Sequence, residues 1–180
     1  QHPKDADVSS RLAELAFEQG QVERADNFCT RALAANPDHL LARWTAARIA
    51  DAGGDADQAR RGFEWFVRFY NAHSVADPDS LVIIGQAAVE YAARAMRGKE
   101  QSEQLGAVLN SMFDTAVAAD SDFWPALYHS GRLFLEKYRK GDALKDLRRA
   151  LAINPNAADV HVALGVSALN DFEIEAGPEH

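Results

Sequence analysis

Apolar residues recur at three- and four-residue spacing in short blocks separated by glycine, asparagine and proline. Leu12, Leu15 and Ala16 form one such block, and Ala25, Phe28, Cys29 and Ala32 the next. This spacing predicts two amphipathic helices. Between them lies Glu18-Gln19-Gly20-Gln21, where Gly20 suits the left-handed residue that ends a helix. After Pro37 the pattern restarts with a helix over 40–52, a Gly53-Gly54-Asp55 turn and a helix over 56–70. The small residues Ala42, Ala46, Ala47 and Ala50 allow neighbouring helices to approach closely.

One phrase returns. Arg31-Ala32-Leu33-Ala34-Ala35-Asn36-Pro37 reappears as Arg149-Ala150-Leu151-Ala152-Ile153-Asn154-Pro155. Proline lacks an amide hydrogen and pushes the preceding residue out of helical geometry, so each copy marks a helix stop. The chain is therefore a repeat of helix pairs.

These residues resemble the tetratricopeptide repeat, a helix–turn–helix unit of about 34 residues. The first repeat is 6–39, with Leu12, Ala13, Ala16, Ala25, Cys29, Ala32 and Pro37 at signature places. The second is 40–73, with Ala46, Ala47, Ala50, Ala59 and Phe63; Phe66 replaces a small residue and Asn71 the proline. The third is 78–123, with Leu81, Ile84, Gly85, Ala88, Leu109, Phe113 and Ala116. It is about twelve residues longer than the consensus. Its first helix is expected to run on to Arg97-Gly98, with the extra residues around Glu100 to Glu103. The fourth is 124–157, with Leu127, Gly131, Phe134, Ala143, Leu147, Ala150 and Pro155. A half repeat, 158–171, carries Leu164, Gly165 and Ala168, and a tail follows over 172–180.

The resemblance implies a single all-α domain over 1–180, a right-handed α-α superhelix of about nine helices. Its concave face would be lined by the first helix of each pair. The residues placed there are Ser10, Glu14 and Phe17; Leu41, Trp44, Arg48 and Asp51; Val82, Gln86 and Glu90; Tyr128, Arg132 and Glu136; and Asp159, Val162, Val166 and Asn170. Trp44 with Arg48, and Tyr128 with Arg132, each sit one helical turn apart. Aromatic and arginine side chains dominate binding hot spots, but the rings also fill gaps between helices. The selected partner-binding set is Trp44, Arg48, Gln86, Glu90, Tyr128, Arg132, Val162 and Val166. In a subset of the family, Lys, Asn and Arg in the groove hold C-terminal carboxylates. The matching places here are Ser10, Glu14, Thr45, Asp79 and Ile83, none of them cationic, so that specificity is not expected.

Charge and chemistry narrow the function further. Lys and Arg total 19 against 27 Asp and Glu, a net charge of −8. That argues against nucleic-acid and anionic-membrane partners. No run approaches the roughly 20 apolar residues of a membrane helix, and no signal peptide is legible. A soluble chain, cytoplasmic or periplasmic, is expected. Cys29 is the one cysteine, at a core signature place, and reads as a buried small hydrophobe. The histidines His2, His39, His73, His129, His161 and His180 lack metal-site spacing. There is no nucleophile elbow, phosphate loop or dinucleotide fingerprint. No catalytic residue, metal or cofactor is assigned.

The function expected is a non-catalytic scaffold that binds a protein or peptide in its groove. The alternative is a helical accessory region of a larger enzyme, positioning substrate. The helix over 158–170 has Val162, Val166 and Leu169 on one flank and Val160 and Leu164 on nearly the opposite one. Only one flank can pack on the fourth repeat. The sequence therefore predicts further repeats in a longer native chain, and self-association through this helix.

Overall fold

The computed structural model describes residues 3–137 and 139–175. Among these there are ten α-helical segments and no strand: α1 (Pro3–Glu18), α2 (Val22–Ala35), α3 (Leu40–Ala52), α4 (Ala56–Ala72), α5 (Pro78–Ala95), α6 (Gly98–Val108), α7 (Asp114–Ala119), α8 (Trp124–Glu136), α9 (Lys140–Ile153) and α10 (Ala158–Glu175). A π-helical turn, Leu109–Phe113, joins α6 to α7 without an intervening loop. The chain divides into two compact units, residues 1–75 with 83–108, and residues 76–82 with 109–180.

The turns follow from local chemistry. Gly20 has φ +72°, and the Gln21 amide donates to the Ala16 carbonyl at 2.8 Å, closing α1 with a left-handed residue. Gly54, φ +81°, does the same for α3, with the Asp55 amide bonded to Ala50. The two Asn-Pro stops are one geometry used twice. Asn36 and Asn154 are extended, and each side-chain Oδ1 accepts the amide two residues on, Asp38 and Asn156, at 3.1 Å. Asp120 makes a third copy with no proline after it, accepting from the Asp122 amide at 2.9 Å. Its carboxylate supplies the Asx turn that the sequence pattern did not flag.

Within the first unit α1 pairs with α2 and α3 with α4, and α3 packs across the first pair. Within the second, α8 pairs with α9 and α10 packs on both. The interfaces are built from small residues. Ala13, Ala16, Ala25, Ala32, Ala42, Ala47 and Ala59 are buried, around the larger Phe63 and Phe66. Phe66 is fully buried at a place the repeat pattern gives to a small residue. A Cβ on Gly62 would lie 2.8 Å from the Ala47 Cβ, and one on Gly131 would lie 2.7 Å from Leu147 Cγ. Those two glycines set the separation of α3 from α4 and of α8 from α9.

Three expectations change. Leu12 and Leu15 are not core; they are 41% and 52% exposed. The buried stripe of α1 is Ala6, Ser9, Ser10, Ala13 and Ala16, one helical position away, because the close α1–α2 approach admits only small side chains there. The first helix of the third repeat ends at Ala95, not at Arg97-Gly98. Gly98, φ +57°, opens α6, and Glu100–Glu103 are helical. The extra length is absorbed by α5, longer than α1, α3 and α8, and by the unbroken run from Gly98, where the π turn widens the helix to take an added residue. The helix expected to end near residue 170 continues to Glu175, so the predicted tail begins inside it; residues 176–180 lie outside those described.

The glycine at the α3–α4 contact gives a direct test. Gly62→Ala gains about 1 kcal/mol of helix propensity, but its methyl meets the rigid Ala47 Cβ, an overpacking cost of roughly 1–3 kcal/mol. Urea unfolding should show Gly62→Ala less stable than wild type. Gly106→Ala, with open space at its Cβ, should be neutral or more stable by roughly 0.5–1 kcal/mol. A stabilised Gly62→Ala would contradict the packing described.

Candidate interaction faces

The candidates in the first unit lie on α1, α3 and α5. Trp44, on α3, is buried and packs its ring on Phe63 at 5.7 Å, so it is chiefly a spacer between α3 and α4. Arg48, one turn on, is half-buried. Its guanidinium lies 4.6 Å from the ring centre of Phe17 on α1 and 5.7 Å from that of Trp44. Cation–π attraction of this kind holds the side chain in place without using its N–H donors. No carboxylate or hydrogen-bond acceptor pairs with that guanidinium among the described residues.

The acidic groups of the same face are differently placed. Arg94 on α5 reaches Asp51 on α3 at 2.8 Å and also binds Glu90, one turn before it, while its guanidinium lies 4.9 Å from the Phe63 ring. Burial lowers the Arg94 pKa, but its hydrogen bonds and charge attraction to Asp51 and Glu90 outweigh that, and the net shift is upward. Arg94 was not among the residues read from the sequence; a cation four residues after Glu90 was the signal available. Gln86, one turn before Glu90 on α5, is half-buried, whereas Ser10, Leu41 and Thr45 are buried, as is Val82 in the part of α5 that belongs to the second unit. Ser10 donates to the Asp7 carbonyl at 2.9 Å.

A Ser–His–Asp grouping occurs here and has no nucleophilic use. His39 Nε2 is 3.0 Å from Asp7 Oδ1 and 3.4 Å from Ser10 Oγ, so both partners meet one nitrogen. Nδ1 accepts from the Ala42 amide, as the N-cap of α3. A general base would need its second nitrogen held by the carboxylate and the first free for the serine. Cys29 is buried, and burial followed by the charge of Asp26 pushes its thiol up to about 12, which leaves no thiolate at neutral pH.

In the second unit Tyr128 is half-buried and packs against the core around Leu127, Leu147 and Val160. The Arg132 guanidinium lies 5.9 Å from its ring and, at 4.0 Å, near Glu136, both charges being about half exposed. Val162 and Val166 are exposed, as is Leu169. Val160 on the other flank of α10 is fully buried and Leu164 half-buried against the same core. Trp44, Arg48, Gln86 and Glu90 thus fall within one unit, and Tyr128 and Arg132 on one helix of the other. Asn170 is outside the residues whose side chains are described.

Arg43 also has an aromatic platform, away from the predicted set. Its guanidinium lies 4.0 Å from the Trp65 ring centre while Nε donates to the Pro37 carbonyl at 2.6 Å. Trp65, Phe69 and His73 continue this as a stack along α4. The arrangement ties the turn before α3 to α4. Among the described residues no group of three or more His, Cys, Asp or Glu could hold a metal ion, and no helix is long and apolar enough to cross a membrane.

Residues 16–64, the end of α1 through half of α4, match the sequence profile of the tetratricopeptide repeat. This stretch is a tetratricopeptide repeat. The fold of the chain is similar to that of TTC0263, a thermophilic tetratricopeptide protein from Thermus thermophilus, at 19% identity and a TM-score of 0.63, over 89% of this chain and 83% of that one. It is also similar to part of a monomeric IFIT1 mutant solved with m7Gppp-AAAA, at 17% identity and a TM-score of 0.59, over 96% of this chain and 39% of that one. No curated protein sequence matches the chain. At these identities the likeness concerns the tetratricopeptide fold.

His129 on α8 gives this unit a pH dependence. Its ring stacks near Phe113 and Tyr128. Burial, followed by the charge of Arg132, lowers its pKa to about 4 from 6.5. Between those values the unfolded chain takes up the proton and the folded one does not, so stability rises with pH across the window and is lost as pH falls toward 4. The loss expected is on the order of 2–3 kcal/mol. Urea unfolding at pH 7 and pH 4.5 should show a larger drop for wild type than for His129→Phe; equal drops would contradict the assignment.

Proposed function

We propose that this tetratricopeptide chain is a non-catalytic scaffold that binds a protein or peptide segment on its first-helix face, with Arg48 as the central contact. The observation that supports this most is the Arg48 guanidinium, oriented by Phe17 and Trp44 and with no carboxylate partner among the described residues. An arginine held flat on aromatic rings loses little further freedom when it binds, and its N–H fork fits a carboxylate. Asp51 and Glu90 already share Arg94. The cation left over on this face therefore selects an acidic side chain, next to an apolar group that can lie on Phe17. Gln86 and Glu90, on α5 of the same unit, belong to the proposed set. In the second unit Tyr128 and Arg132 offer a similar but more exposed pair, and Val162 and Val166 an apolar one. The net charge of −8 favours a protein partner over a nucleic acid. The reading includes a contact between copies through α10.

Selection of random twelve-residue displayed peptides on the chain, followed by fluorescence anisotropy of the winners, tests the reading. Enriched peptides should carry Asp or Glu, and Arg48→Ala should weaken them about tenfold or more, roughly 1.4 kcal/mol. Trp44→Ala is the poorer probe, because that ring also supports the core. Peptides without an acidic residue, or bound equally by Arg48→Ala, would defeat the proposal.

A further inference from the structure

One stretch runs against the charge of the whole. The chain is −8, yet residues 137–149 hold six cations, Lys137, Arg139, Lys140, Lys145, Arg148 and Arg149, against two carboxylates, Asp142 and Asp146. The stretch covers the turn after α8 and most of α9. Both carboxylates are engaged. Asp142 binds Arg139 at 2.6 Å, and that guanidinium also lies 4.8 Å from the Phe134 ring centre. Asp146 accepts from the Ser130 hydroxyl at 2.7 Å, and Lys145 and Arg149 act on it only at longer range. Lys145, Arg148 and Arg149 are exposed and form no ion pair among the described residues. Arg149 donates to the Ser121 carbonyl at 3.4 Å, beside Asp120 and Asp122, so Lys145 and Arg148 are the freer two.

The exposure of this face is a property of the repeat. The phrase that returns sets Asn27, Thr30 and Arg31 of α2 level with Lys145, Arg148 and Arg149 of α9. Those α2 residues are exposed too, with α1 and α3 both packed on that helix. The face therefore stays open when a following helix is in place. What differs is the filling: one cation on α2, three on α9. Lys145, Arg148 and Arg149 fall at i, i+3 and i+4, where like charges repel one another and weaken the helix. An anionic partner relieves that repulsion.

We propose that the outer face of α9 is a second docking surface, whose partner is an acidic protein segment with carboxylates spaced three and four residues apart. The arginine forks fit carboxylates, and the helical spacing matches such a segment. A nucleic acid fits less well. α9 has no aromatic residue on which a base could stack, and a long polyanion would run past the patch over an acidic chain. A membrane fits less well too. The exposed positions of α9 are Gly141, Lys145, Arg148, Arg149 and Ala152, with no large apolar side chain to enter a bilayer. A short acidic segment meets only the patch, because carboxylates more than about 8 Å away are screened at physiological salt.

This surface lies in the second unit and does not rest on the Arg48 reading. Fluorescence anisotropy of the full chain tests it, with a labelled twelve-residue peptide of alanine and glutamate, its glutamates three and four apart. Wild type should bind with Kd below about 1 mM at about 0.15 M salt, and more weakly at about 0.5 M. The double variant Lys145→Glu/Arg148→Glu, both at exposed positions, should keep its helical circular dichroism and bind about tenfold less tightly. Arg48→Ala should keep most of the binding. No binding to wild type, or equal binding by the double variant, would overturn the proposal. Loss in Arg48→Ala but not in the double variant would overturn it while supporting the Arg48 face. Tighter binding of an oligothymidylate, or of vesicles with one-third phosphatidylserine, than of the glutamate peptide would overturn the choice of a protein partner.

Discussion

Close helix approach is the constraint on which the rest of this structure depends. Gly62 against Ala47 and Gly131 against Leu147 leave no room for one more methyl group. The alanines of α1, α2 and α3 are buried because nothing larger fits between helices at that distance. Small residues contribute little apolar area each, so stability comes from many contacts in series, as in repeat folds generally. Large apolar residues then have two places to go. Phe63 and Phe66 fill the space on the α4 side, while Leu12, Leu15, Val162 and Val166 are left outside.

That division decides which candidates can meet a ligand. Trp44 is drawn inward against Phe63, and Arg48, one turn on, is left to lie across Phe17. The Trp44 ring packs within the fold and the Arg48 guanidinium lies half-buried on Phe17, so the two readings weighed for this pair, core and surface, divide between its two residues. Arg94 settles the electrostatics of the same face by binding Asp51 and Glu90 together. What sets Arg48 apart on this face is that two aromatic rings, Phe17 and Trp44, hold it while no carboxylate pairs with it among the described residues.

The repeat was legible because it is written in backbone chemistry. Gly20 needs a positive φ, and Asn36 and Asn154 stop a helix with the same side-chain turn, so identity of residue gave identity of geometry. Asp120 performs that turn without the proline, and its copy passed unread. The π turn over Leu109–Phe113, which shifts the phase by one residue, was not legible, because helical spacing carries no mark for it. Leu12 and Leu15 were misjudged because the rule that apolar residues face inward fails where the interior admits only alanine and serine. Side-chain partners over long sequence distance, Arg48 with Phe17 and Arg94 with Asp51, have no local signal at all.

Hydroxyl-radical footprinting of the chain with and without a selected acidic peptide bears most directly on the claim that Arg48 and its aromatic neighbours form the binding face. The account predicts that Phe17, the half-buried ring beneath Arg48, loses reactivity on peptide binding, while Trp65 and Phe69 on α4 keep theirs. Protection of Trp65 and Phe69 with Phe17 unchanged would contradict it.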